Sequence, residues 1–250
     1  HRDTGHYEKV SLHKRLYPMS YAETFAPPAE NIFFNTDILE ERINQLKRDK
    51  SFTVRGDFVG DPEMAVQFVP NNEGRFLVSK LMPHGASNRK YKQYDSWYPA
   101  DTSTYISSSD AFRLEKTQGY RMSLGAGAVK EKGKLFVCTY MFRPETIDEY
   151  CEDMLKMTVY YNALHYPETN VNHVAERFIK RGFKGYLLFD TDPDTGKPTT
   201  NPGFHMGIDK KQKMFNKHRD YISMNGMQEK HIEYLMECAK FWVLHQRLCP

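Results

Sequence analysis

The chain has 250 residues, of which 40% are hydrophobic, 14% aromatic and 27% charged, a composition that suits a folded protein with one sizeable core and excludes disorder. A formal net charge of +3 is too small to demand an anionic partner, so any case for nucleic acid rests on local charge. No apolar run approaches the ~20 residues of a membrane helix, so no membrane partner is expected.

The sequence opens on His1, without Met or a signal-peptide pattern, as expected of a piece of a longer chain. Cys138, Cys151, Cys238 and Cys249 show no C-x-x-C pair and read as reduced, mostly core residues of an intracellular protein.

Residues 1–50 read as a helical or irregular lead-in. Ser20 and Glu23 stand at capping-box spacing, Pro27-Pro28 stops what they start, and Ile32-Phe33-Phe34 reads as packing. Ile38, Leu39, Ile43 and Leu46 fall roughly on one face of a second helix that ends in Lys47-Arg48-Asp49-Lys50. Residues 51–104 change to short β segments around Phe52–Val54, Val66–Val69 and Arg75–Val78, separated by Gly60-Asp61-Pro62 and Asn71-Asn72-Glu73-Gly74. They predict a small antiparallel element, followed over 81–104 by a polar loop carrying His84, Arg89, Lys90 and Lys92.

The core is expected over residues 105–250. A β-prone run from Tyr105 delivers Asp110, then Tyr120–Val129 and Lys134–Phe142 form strands joined by a turn at Glu131-Lys132-Gly133. Pro144 suits the first position of a helix whose Ile147, Cys151, Met154, Leu155 and Thr158 share a face and which runs to about Ala163. A short strand from Leu164 leads into a helix with Val171, Val174, Ala175, Phe178 and Ile179 as its apolar face and Gly182 at its end, placing Glu168 at the junction. Gly185–Phe189 reads as a buried strand, and Asp190–Pro198 as a solvated turn; its acids resemble half a calcium loop, but the proline and the missing distal Glu argue against one. Two helices close the chain. One, from Asp209 to about Ile222, carries Lys210, Lys211, Lys213, Lys217, His218 and Arg219, and the other, from Gln228 to Leu244, is apolar on one side. Such lysines suit either DNA phosphates or a plain solvated face. The element order is that of an α/β fold with a mixed sheet flanked by helices.

Asp110 ends one strand and Glu168 another, and in a mixed sheet whose first strand lies centrally the two are neighbours. Close carboxylates repel unless a cation lies between them, and cations bridged by carboxylates activate water for phosphodiester hydrolysis.

From about Arg15 onward the chain resembles the nuclease half of the large terminase subunit of tailed double-stranded DNA phages, most of all its crAss-like relatives. The resemblance rests on Arg15–Phe25, Tyr105–Phe112, Ser123–Val129, Arg143–Glu145, Tyr160–Ala163, Glu168–Val171 and Gly203–Gly207, taken in order and spacing. It implies a ribonuclease H-like fold. It also implies an endonuclease that depends on magnesium or manganese in a two-metal site and cuts concatemeric viral DNA during genome packaging in the host cytoplasm. By position, Asp110 and Glu168 take the roles of the first two metal-binding acids. Double-stranded DNA, the phage portal and the small terminase subunit are the implied partners. Residues 1–50 would then lead in from an ATPase domain. No G-x-x-x-x-G-K-[ST] loop occurs in the chain, so it cannot drive translocation by itself. Phosphate-tracking residues are expected in Lys210, Lys211, Lys213 and Lys217, with Arg113 and Lys116. The family's third acid has no counterpart here; Asp209 and Asp220 are the fallbacks. Two alternatives stand beside this reading: a catalytically incomplete DNA-binding or portal-docking module, and a resolvase-like nuclease of the same fold.

Overall fold

A computed structural model describes residues 34–112, 123–170, 173–192 and 195–239. The expected Ser20–Glu23 cap, the Pro27-Pro28 stop, Ile32, Phe33, Arg113, Lys116, Val171 and Cys249 lie outside the described residues.

The centre is a mixed sheet of seven strands. In chain order these are β1 (Val54–Asp61), β2 (Ala65–Pro70), β3 (Phe76–Val78), β6 (Tyr105–Asp110), β7 (Gly125–Glu131), β8 (Phe136–Phe142) and β9 (Leu164–Pro167). They lie side by side as β2-β1-β3-β8-β7-β6-β9. Every neighbouring pair is antiparallel except β6 and β9, which run parallel. The stretch expected as a small antiparallel element is antiparallel within itself, and β3 continues it directly into β8.

Helix α2 (Ile147–Tyr161) supplies the parallel crossover from β8 to β9. Its start differs from the sequence expectation. The first helical residue is Ile147 rather than Pro144, and Thr146 makes the N-cap, in a capping box with Glu149. Asn162 ends it in the left-handed region at φ 54°. Buried along α2 are Tyr150, Cys151, Met154, Leu155, Met157, Thr158 and Tyr161. The helix sits so close to the sheet that a Cβ on Gly127 would lie 2.5 Å from the Met154 sulfur, which is why β7 alternates glycines on this face. Helix α3 (His173–Lys180) packs beside α2 through Val174, Ala175 and Phe178. Ile179, expected in that apolar face, is exposed. Arg177 and Arg181 of this region both reach Glu152 on α2, at 3.0 and 2.6 Å, and Arg181 also reaches Asp61 on β1.

An irregularity in the β7–β8 register, where Val129 faces Cys138 but Lys130 faces Phe136, breaks the strand alternation and lets Phe136 and Thr139 both reach the opposite layer. There α1 (Thr36–Arg48), α4 (Ile208–Asn225) and α5 (residues 232–239) gather around Leu39, Leu46, Ile222 and Leu235. Phe136 meets the rings of Tyr221 and Tyr234. Two hairpins lie outside the sheet: β4 (Lys90–Gln93) with β5 (Ser96–Pro99), and β10 (Phe189–Thr191) with β11 (Pro198–Pro202). The first falls where the sequence suggested a polar loop, and the second runs through the expected Asp190–Pro198 turn; the buried strand expected over Gly185–Phe189 is instead a 3-10 turn at Lys184–Tyr186, with β10 starting only at Phe189.

His231 pins the second layer to the sheet. It is fully buried, with Nδ1 3.0 Å from Thr139 Oγ1 and Nε2 3.2 Å from both Ser79 Oγ and the Phe136 carbonyl. Burial pushes its pKa down to about 4. An unfolded histidine takes up a proton near pH 6.5, so as pH falls toward 4 the unfolded chain binds more protons and stability is lost. His231→Gln is therefore expected to melt below the wild type at pH 7.5, by about 1–2 kcal/mol. The gap should narrow steadily as thermal melts are taken down to pH 4.5. A gap that widens on acidification would show that His231 does not titrate this way.

Candidate functional site

Parallel pairing of β6 and β9 sets Ser107 against His165, Ser108 against Tyr166 and Ser109 against Pro167. The next pair in that register is Asp110 and Glu168. The Glu168 amide donates to the Ser109 carbonyl at 3.0 Å, so the register continues past the last paired residues. Strand alternation turns Asp110 to the face opposite α2, alongside Ile106 and Ser108. The two carboxyl groups come within hydrogen-bonding reach of each other. Asp110 stays accessible to solvent, yet the protein crowded around its carboxyl raises its pKa, an effect the hydrogen bond with Glu168 partly offsets.

Each strand end is braced. The Tyr150 hydroxyl, from α2, lies 2.9 Å from the Asp110 carbonyl and 2.6 Å from that of Ala126, clamping β6 to β7 at their last pair. On the other side, residues 203–204 run beside β9. The Phe204 amide donates to the Pro167 carbonyl at 3.0 Å, and the Thr169 amide to the Phe204 carbonyl at 2.9 Å. Gly203, at φ 88°, leaves no room for a side chain: a Cβ there would lie 2.4 Å from the Pro167 oxygen.

Two adjacent carboxylates in a partly desolvated setting share either a proton or a cation. Their hard oxygen donors fit magnesium or manganese better than a soft metal. Among the described residues no group of three or more His, Cys, Asp or Glu side chains is arranged to hold a metal ion. Asp220 is exposed, 3.6 Å from the Arg219 guanidinium. Its neighbour Tyr221 lies against Lys130, whose ammonium is 4.1 Å from that ring. Lys130 is four residues along β7 from the Ala126 that pairs with Asp110, so Asp220 is not part of the carboxylate pair. The Asp209 side chain lies outside the described atoms.

Of the expected phosphate-tracking lysines, Lys210 pairs with Asp190 in the middle of β10, and this ammonium holds Asp190 below the usual carboxylate range. The Tyr166 hydroxyl also bonds Asp190, which links Lys210 to the face of β9 that carries Glu168. Lys211, Lys213 and Lys217 are exposed along α4.

The sequence reading passed over Tyr150 and His165 and placed Asp190 in a solvated turn. For His165 a signal was present: Ser107, Ser109 and His165 occupy alternate, inward positions of strands that should bury apolar groups. A cleft of about 960 Å³ opens elsewhere, between the end of α1, the start of β1 and Lys230, and contains neither acid of the pair.

Among the described residues no helix is long and apolar enough to cross a membrane. In comparisons with known proteins, no family model, no curated protein and no solved structure matches this chain.

Proposed function

We propose that the chain is a metal-dependent endonuclease acting on double-stranded DNA, with Asp110 and Glu168 as its metal-binding carboxylates. The observation that carries this reading is the meeting of the two carboxyl groups at the carboxyl ends of adjacent parallel strands. The strand order β8-β7-β6-β9, with Leu187 bridged in parallel to His165 beyond β9, supports a ribonuclease H-like sheet. On that reading, and on the sequence resemblance, the chain is the nuclease part of a phage large terminase subunit. The portal and the small terminase subunit would then be its partners.

Asp110 and Glu168 hold the negative charge that draws in magnesium or manganese. When bound, such ions would supply an activated water and stabilise the leaving oxygen of the phosphodiester. Tyr150 fixes the backbone of Asp110, and residues 203–204 fix that of Glu168. Lys211, Lys213 and Lys217 give α4 a basic, exposed face suited to phosphates.

Incubating supercoiled plasmid with the chain and manganese, magnesium or chelator tests the proposal. Nicking or linearisation with either metal, and none with chelator, is expected. DNA retained in a gel shift without any cutting would favour the second reading, a binding module with an incomplete site; the lack of a third assembled acid among the described residues is what favours it. Exchanging Lys211, Lys213 and Lys217 together for Ala is expected to weaken DNA retention for all sequences alike. It should also flatten the slope of log affinity against log salt by about 2–3. An unchanged slope would remove α4 from the DNA surface.

A further inference from the structure

His165 is completely buried on the α2 side of β9, its ring stacked 4.9 Å from that of Phe178. Three hydroxyls converge on it. Ser107 Oγ lies 2.8 Å and Thr158 Oγ1 3.2 Å from Nδ1, and Ser109 Oγ lies 2.9 Å from Nε2. Burial pushes the imidazole pKa down to about 3, so the ring is neutral and offers one N–H and one lone pair.

Ser109 Oγ also bonds the Tyr150 hydroxyl. That hydroxyl has a single proton, which it donates to the Asp110 or Ala126 carbonyl. Ser109 therefore donates to Tyr150 and accepts from His165 Nε2–H, leaving Nδ1 to accept from Ser107 or Thr158. The directions on the Nε2 side follow from that one proton, while on the Nδ1 side Ser107 also lies within reach of the Leu164 carbonyl, at 3.3 Å, and of Thr158 Oγ1, at 3.1 Å. The result is a continuous polar chain across β9, β6 and β7, directly beneath the strand ends that carry Asp110 and Glu168.

Stability alone does not call for such a chain. Apolar side chains of similar size would fill the same space without the cost of desolvating four hydroxyls and an imidazole. What a fully satisfied polar network adds is a fixed spacing between the strands it joins.

We propose that Thr158, Ser107, His165, Ser109 and Tyr150 form a positioning network that sets the separation of the Asp110 and Glu168 carboxylates for a divalent cation. The proposal rests on the metal-dependent reading given above. The network acts through the backbone of β6 and β9: Tyr150 holds the Asp110 carbonyl, and His165 lies on β9 three residues before Glu168.

Calorimetric titration of the whole chain with manganese, without DNA, tests it, alongside thermal melts of the same samples. Four proteins are compared: wild type, Asp110→Asn, Ser109→Ala and Tyr150→Phe. Wild type should bind and Asp110→Asn should not. Ser109→Ala and Tyr150→Phe should each bind at least about tenfold more weakly while remaining folded, the loss typical of removing an outer partner of a metal ligand. A purely structural role would lower the melting temperature and leave the affinity of the folded protein unchanged. Loss of binding in Asp110→Asn together with wild-type affinity in both hydroxyl variants would overturn the positioning role alone. Equal binding by wild type and Asp110→Asn would overturn the metal reading and the network's role with it. Should Ser109→Ala fail to fold, Tyr150→Phe, which keeps the ring, decides the matter by the same affinity.

Discussion

Asp110→Asn is expected to lower metal-dependent DNA cleavage by about a thousandfold or more, corresponding to about 4 kcal/mol of lost transition-state stabilisation. The exchange keeps the shape of the side chain and removes its charge, so the loss isolates the role of the carboxylate. Glu168→Gln should behave alike. The double variant should be little worse than either single one, because two groups holding one cation fail together. Stability should move the other way. The protein crowded around the Asp110 carboxyl raises its pKa, and the hydrogen bond with Glu168 offsets this only in part, so the ionised form is disfavoured there. Removing that charge relieves repulsion between the two groups, so the melting temperature of Asp110→Asn should equal or exceed that of the wild type. Plasmid cleavage and a thermal melt on the same preparation check both halves. Cutting that survives Asp110→Asn would sink the assignment of the site.

The largest expected effect on folding comes from Gly74→Ala. Gly74 lies at the entry to β3, where a Cβ would stand 2.5 Å from both the Cα and the carbonyl carbon of Gly56 on β1. Gly56 is hemmed in from its other side, since a Cβ there would meet the Val69 carbonyl oxygen at 2.3 Å and the ring of Phe68 at 2.5 Å. The obstructing atoms are backbone, so no side-chain rotation can relieve the clash. One strand has to move away from its neighbour, and the sheet pairing of β1 with β2 and β3 has to give. Overpacking of this kind costs about 3 kcal/mol, which for a chain of this size lowers the melting temperature by roughly 6–12 °C. A calorimetric melt within 2 °C of wild type would mean that β1 and β3 are not held this tightly.

Asp110 and Glu168 were legible in the sequence because both follow from local rules. A run of β-formers ends at each, and the intervening helix makes their strands parallel neighbours. Apolar periodicity likewise marked α1 and α2, whose buried residues repeat at helical spacing. The failures share another cause. Pairing of β3 with β8 joins residues far apart in the chain, and no local pattern encodes such a contact. The β4–β5 hairpin hid because its strands, KYKQ and SWYP, are only four residues each, the first is mostly polar, and they pair apart from the large sheet. Arg143-Pro144 drew the start of α2 about three residues too early because proline is favoured there, whereas the Thr146–Glu149 capping box carried the actual boundary. Tyr150 reads as an ordinary core aromatic until its hydroxyl is seen against two carbonyls.

The parallel contact between β6 and β9 has a kinetic meaning. Ser107 and His165 are 58 residues apart, and the path between them runs through β7, β8 and the whole of α2. Closing a loop of that length before its contacts form is entropically costly, and parallel pairing gains nothing until the crossover helix has docked. The two acids therefore remain apart in every partly folded form that lacks α2. A nascent or damaged chain of this kind carries no assembled carboxylate pair, so the proposed metal site would be complete only once α2 has docked and β9 has paired with β6.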